Sequence, residues 1–487
     1  MERLAFRGAD ELAALLRRGE ISSRALVELY ISRIEARDGE LNAVVTRDFE
    51  AARARAGEAD LARGRGETWG PLHGLPITIK DSFETAGLRT TSGHVPLSDH
   101  RPVRDAIAVA RLRKAGAIVL GKTNLPELAG DWQSTNAIFG RTHNPWDPAR
   151  TPGGSSGGAA AALAAGFCAL ELGSDIGGSI RIPAGWCGIY GHKPSHGIIP
   201  LRGHIPGPPG QLSEADLGVA GPMARTAEDL DLALQILAGP TEDRATAWRL
   251  VLPPPRRTSL REYRVAAWLE DPSVPVDAAV TERLHAVVAS LRRAGVDVNE
   301  TARPAIDLRA AIETYLRLLL PIIYAGLPRQ SFDELVAFAD AAPVEVRDTM
   351  TDAARFGTDR HRNWLSANEA RERVRAALHA FFRDYDVLLT PVTCVPPIAH
   401  DPSEPLITRS LEFAGRKREY MELASWIALA TMTFHPATSA PAGRTADGLP
   451  VGVQIIGPYL EDRTTIDFAA RLAAVMGGFT PPPAFAG

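Results

Sequence analysis

The amino-acid sequence predicts an α/β protein with a mixed or parallel sheet covered by helices. Two patterns predict this. Short β-branched runs alternate with helices of three- and four-residue apolar spacing, and glycines close those helices just before the next run. Size is the third observation: 487 residues, 45% of them hydrophobic, suffice for a large core.

The elements follow in order. Asp10 to Arg18, Ser22 to Glu35 and Asp48 to Arg63 have helical spacing, with Ser22 or Ser23 as a cap for the second. Leu75 to Lys80 is short, β-branched and bounded by Gly74, which predicts a strand ending in a lysine. Asp105 to Ala115 is a predicted helix, Gly116 its stop and Ala117 to Leu120 the next strand. The grammar returns with a strand at Arg264 to Trp268, a helix capped by Asp277 and ended by Gly295, and Val296 to Val298. Asp386 to Pro391 and Val451 to Ile456 are further buried strand candidates. Pro200 to Pro209 and Pro253 to Pro255 read as loops, the latter as a surface loop in preference to a domain boundary.

Composition narrows the function classes. The net charge is -4 with both signs intermixed and no basic stripe, which argues against nucleic acid as a partner. The cysteines Cys168, Cys187 and Cys394 form no CxxC pair, so neither a disulfide framework nor a zinc site is expected. Charges interrupt the first residues, leaving no signal-peptide core. The longest apolar stretches, Gly157 to Leu170 and Leu318 to Leu327, are shorter than the roughly 20 residues of a membrane span. The expectation is a cytoplasmic protein with no membrane partner.

Two glycine-rich turns carry the chemistry. Pro152 to Gly158 contains Ser155 and Ser156 and runs straight into a small-residue helix from Ala159. Glycine permits positive φ and close backbone approach, and a helix start presents free N–H groups to an anion. Alone, this turn could cradle a phosphate, be purely structural or carry reacting serines, and no Gly-Lys-Ser/Thr follows to support the first. The second turn, Gly173 to Pro183, puts Ser179 at its tip about two dozen residues on. A helix and a strand-like Cys168 to Leu172 join the turns and allow them to face each other. Lys80, after Ile77-Thr78-Ile79, is poorly placed for full solvation.

Together these segments resemble the amidase signature family, whose hallmark is a lysine after a Gly-Leu-Pro-containing strand, a Gly-Gly-Ser-Ser-Gly-Gly turn, then an Asp-x-Gly-Gly-Ser-x-Arg-x-Pro turn. The likeness extends through Gly121 to Asn124, Asn144-Pro145-Trp146, Gly188, Gly191, Lys193-Pro194, Gly197, Asp386 to Pro391 and Gly448 to Gln454, nearly the whole chain. Two segments depart from the family pattern: Ala184-Gly185-Trp186-Cys187-Gly188 and Thr431-Met432-Thr433-Phe434. The resemblance therefore implies a reaction and not a substrate.

It implies a central mixed, twisted β-sheet flanked by helices on both faces, with residues 1–65 a helical segment packed on one large domain of residues 66–487. It implies an amidase that needs no cofactor or metal and acts on a small-molecule amide, with a homodimer as the family's assembly. Ser179 is the implied nucleophile, attacking the amide carbonyl to give an acyl-enzyme, Ser155 the relay after a cis peptide bond, and Lys80 the base. A lysine ordinarily titrates near about 10.4, so Lys80 must be buried to serve. The N–H groups of Ile176, Gly177, Gly178 and Ser179 are the implied oxyanion hole. Ser156 either supports the network by hydrogen bonding or is purely structural, Asp175 and Arg181 form a buried pair, and Ala129 and Gly130, with Ser155, border the acyl pocket.

Other readings are weaker. His143 and His192 suggest a Ser-His-Asp triad, but no Gly-x-Ser-x-Gly elbow surrounds either serine. Glu127 and Asp131 lack a His pair at ligand spacing. Tyr315 and Tyr324 read as core or pocket wall. The alternatives for function are a carbamate or ester hydrolase on the same site, the glutaminase subunit of a tRNA-dependent amidotransferase, and a non-catalytic anion-binding protein.

Overall fold

The structure, a computed structural model, describes residues 2–486. Eleven strands form one large sheet. In chain order they are β1 (Val44–Arg47), β2 (Pro76–Lys80), β3 (Ile118–Thr123), β4 (Glu171–Asp175), β5 (Tyr190–Lys193), β6 (Val219–Ala224), β7 (Val265–Ala267), β8 (Val298–Asn299), β9 (Val387–Pro391), β10 (Ala437–Arg444) and β11 (Pro450–Ile456). Their spatial order is β1-β3-β2-β4-β6-β5-β10-β11-β9-β7-β8. β2 runs parallel to β3 and β4, and β7 parallel to β8 and β9, while the central strands from β6 to β11 pair antiparallel, so the sheet is mixed.

Alternation along the strands shows both faces covered. On β10, Thr438 Oγ1 donates to Thr465 Oγ1 of the helix Asp462–Met476 at 2.9 Å. The next residue, Ser439, points the other way, towards Gly185 of the helix Arg181–Cys187. There the backbones nearly touch: a Cβ on Gly452 of β11 would lie 2.7 Å from Gly185 Cα.

The predicted helix ends match the observed ones. Ser22 accepts from Ala25 N at 3.0 Å at the start of Ser23–Arg37, and Asp277 accepts from Ala279 N at 2.8 Å at the start of Ala278–Arg293. Gly116 and Gly295 follow Ile107–Lys114 and Ala278–Arg293 at φ 97° and 85°.

Three features differ from expectation. The strand expected at Cys168 to Leu172 lies at Glu171–Asp175. Its polar Ser174 and Asp175 read as turn, yet both are buried like Glu171, and all three take partners from outside the strand. Residues 1–65 are not wholly helical, because β1 pairs with β3 at the sheet edge. The strands β5, β6 and β10 carry too many Gly, Pro and polar residues to give a strand signal. One apolar cluster includes Leu234 and Leu237 before the Pro253 loop and Tyr263 and Val265 after it. Among the described residues no helix is long and apolar enough to cross a membrane.

The close contact between β11 and Arg181–Cys187 has a measurable consequence. Gly452→Ala should destabilise the protein by about 1–3 kcal/mol through overpacking, read as a lower midpoint in urea unfolding.

Candidate active site

β2 and β4 run side by side and end at the same edge of the sheet, where loops after parallel strands gather functional groups. Lys80 ends β2, and the second glycine turn begins at Asp175, the end of β4. The first turn enters the helix Gly157–Ala164, which packs against both strands. This brings Lys80, Ser155 and the second turn together.

Lys80 is fully buried, and its Nζ donates to Ser155 Oγ at 2.6 Å and to Ser174 Oγ at 3.0 Å. The Gly154–Ser155 peptide bond is cis. Ser179 Oγ has no hydrogen-bond partner among the described residues, and Ser179 keeps 5% of its surface exposed, open to an incoming group. Ser156 ties the two turns: its N–H donates to Ser179 O at 3.1 Å and its hydroxyl to Ser174 O at 3.4 Å. The first turn needs glycine at 154, because a Cβ there would lie 2.5 Å from Asp131 O and 2.8 Å from Trp132 Cα. Gly178 sits at φ 86°, and a Cβ would press on Ile182.

The electrostatics bring the titration of the amine down towards neutral pH. Burial lowers the Lys80 pKa to about 7, against the opposing pull of Asp175 and Glu171. Burial pushes Glu171 up to about 8, although Thr78 and Thr123 donate to its carboxyl and Lys122 and Lys80 lie near. Burial alone would raise Asp175, but the Arg181 guanidinium more than offsets it and holds the carboxyl below its ordinary value. Arg181 is completely paired, with Asp175 at 2.8 Å, Ile427 O, Gln454 Oε1 and Thr431 Oγ1.

Two other lysines are buried among the described residues, and neither meets a serine. Lys122 donates to Phe83 O, Thr85 Oγ1 and Thr90 Oγ1, and Lys193 to Pro194 O. Burial also lowers their pKa values, to about 8 and about 7.

The four expected anion donors are not equivalent. Gly178 N–H already donates to Asp175 Oδ1 at 3.0 Å. Ile176 and Gly177 are partly exposed. Ala129, at φ 58°, and the exposed Gly130 lie in the turn just before Asp131 and Trp132. Asp131 pairs with Arg409 and Tyr420, and Glu127 with His94, so these carboxylates already have partners. His143 bonds Pro148 O, while His192 bonds Thr438 and Asp462. Tyr324 packs on Gly357 and against the cluster of Leu320, Ala353 and Phe356.

The departing segments are structural where they touch the site. Thr431 accepts from Arg181, and Trp186 Nε1 donates to Thr393 Oγ1 and Val395 O. Sequence reading missed Ser174, Trp132 and Tyr315 as partners of the site. Ser174 lay inside the quoted second turn, and only its place on β4, opposite in facing to Gly173 and Asp175, aims it at Lys80.

Comparison with known proteins defines the class. The amidase family model matches residues 25–466. The chain is 34% identical to the A subunit of glutamyl-tRNA(Gln) amidotransferase from Synechococcus sp. (strain CC9902), over 93% of each chain. It is 34% identical to the corresponding protein of Geobacillus kaustophilus (strain HTA426), over 93% of this chain and 94% of that one. The solved structure of a bacterial aryl acylamidase of the amidase signature family superposes with a TM-score of 0.80 at 25% identity, covering 99% of this chain and 98% of that one. A 6-aminohexanoate cyclic dimer hydrolase superposes with a TM-score of 0.79 at 27% identity, covering 99% of each. The protein belongs to the amidase signature family and is an amidase-type hydrolase.

Arg181→Ala would leave Asp175 charged, buried and unpaired. The variant should lose about 3–5 kcal/mol of stability, measured by urea unfolding at neutral pH.

Proposed function

We propose that this protein hydrolyses a carboxylic amide to an acid plus an amine or ammonia, with Ser179 as nucleophile, Ser155 as relay and Lys80 as base. The observation that carries this reading is the buried Lys80 amine, lowered to about 7 and bonded to Ser155. An amine titrating near the working pH is matched to proton transfer.

The steps follow from the groups present. Ser179 Oγ attacks the substrate carbonyl carbon while its proton passes to Ser155, and that of Ser155 to neutral Lys80. The two hydroxyls share no hydrogen bond in the structure, and catalytic bonds of this kind tighten in the substrate complex. The carbonyl oxygen becomes an oxyanion, which the N–H groups of Ile176, Gly177 and Ser179 receive, with Gly178 contributing beside its bond to Asp175. The C–N bond then breaks. The leaving nitrogen takes a proton from Ser155, which recovers one from Lys80, and the acyl group stays on Ser179. Water repeats the sequence, releasing the acid. Ala129 and Gly130 we assign to the border of the acyl pocket. Carbamates and esters fit the same steps with a different leaving group.

A second reading has its own support. The 34% identity to glutamyl-tRNA(Gln) amidotransferase proteins, over nearly full length, favours the same triad releasing ammonia from glutamine within a complex. The purified chain separates the two. An amidase turns over simple aryl or alkyl amides alone, whereas a glutaminase component is inactive on them and needs its partners.

Ser179→Ala should abolish turnover and block labelling by an aryl phosphonate, seen by mass spectrometry of the peptide that contains residue 179. Lys80→Ala should lose most activity. The base works only when neutral, so kcat/KM should rise about tenfold per pH unit below about 7 and level off above it. A flat profile from about pH 6 to 9 would rule out the lysine base.

A further inference from the structure

The second glycine turn has no side chains at 177 and 178 to hold its peptide planes, yet an oxyanion hole works only if its N–H groups are aimed beforehand. Two buried donors reach these planes from outside. Tyr315 OH donates to Ile176 O at 2.9 Å, and Trp132 Nε1 donates to Gly177 O at 2.7 Å. Tyr315 is fully buried and Trp132 is 8% exposed.

In a trans peptide the C=O and the following N–H point in opposite directions. A donor on Ile176 O therefore fixes where the Gly177 N–H points. The next plane is held at both ends, with Trp132 on Gly177 O and the Asp175 carboxylate on Gly178 N–H. Each donor is itself fixed. Tyr315 lies in the helix Leu308–Tyr324, and burial raises its hydroxyl pKa, so it stays a donor. Trp132 packs edge-on against Tyr420 at 5.4 Å, and Tyr420 OH and Arg409 both bond Asp131 next to it. A carbonyl that accepts a hydrogen bond also polarises its own N–H, which strengthens that donor.

We propose that Tyr315 and Trp132 are positioning residues that hold the peptide planes from Ile176 to Gly178 so that the Gly177 N–H meets the developing oxyanion. The inference rests on the amide-hydrolase reading and adds to it two side chains that act through the backbone of the turn.

Tyr315→Phe removes one oxygen, and Trp132→Phe keeps an aromatic ring while removing the donor, so each tests the inference independently. On an anilide substrate, kcat of each variant should fall about tenfold with KM within about twofold of wild type. The pH midpoint should not move, because Lys80 is untouched, and phosphonate labelling of Ser179 should slow in parallel. Unchanged kcat in both folded variants, or a loss carried wholly by KM, overturns the inference while leaving the amidase intact. A wild-type protein that neither cleaves amides nor takes the phosphonate overturns the amide-hydrolase reading and this inference with it.

Discussion

The site depends on one constraint: an amine kept out of water without a carboxylate to hold its proton. Lys80 is enclosed at the end of β2, and desolvation disfavours its charge. Two carboxyls nearby oppose that effect, and each is dealt with separately. Asp175 is paired with Arg181, which is equally buried and hydrogen-bonded through all its nitrogens. Glu171 is pushed towards its neutral form and bonded by two threonine hydroxyls. The acidic groups around the amine thus pull its titration back only part of the way, leaving it at about 7.

The glycine turns serve the same geometry. Gly154 lets the backbone at Asp131 and Trp132 come within contact of the first turn, and Ser156 spans the gap to the second. A larger residue at 154 would separate Ser155 from the backbone of Asp131 and Trp132. The neighbouring helix Arg181–Cys187 is held close to β11 by the contact between Gly185 and Gly452, which fixes where the second turn can sit.

Buried lysines with lowered pKa values occur three times among the described residues, so burial alone does not distinguish Lys80 as the proposed base. Direction does. Lys122 is consumed by the loop from Phe83 to Thr90 and Lys193 by the carbonyl of Pro194, whereas Lys80 is aimed at hydroxyl groups. A perturbed titration becomes chemistry only when a reacting atom lies within reach.

The sequence by itself determined the helix boundaries at Ser22, Gly116, Asp277 and Gly295, the strand that ends in Lys80, and the two serine-bearing glycine turns. These are local signals, set by φ preference, capping and residue-by-residue periodicity. It did not determine the strand at Glu171–Asp175, the lysine contact to Ser174, or the donors Trp132 and Tyr315. Those rest on bonds across 45 to 139 residues of chain. A polar residue in a buried strand looks like loop until a distant partner satisfies it, and only packing the sheet edge against its loops and helices brings that partner within hydrogen-bond distance.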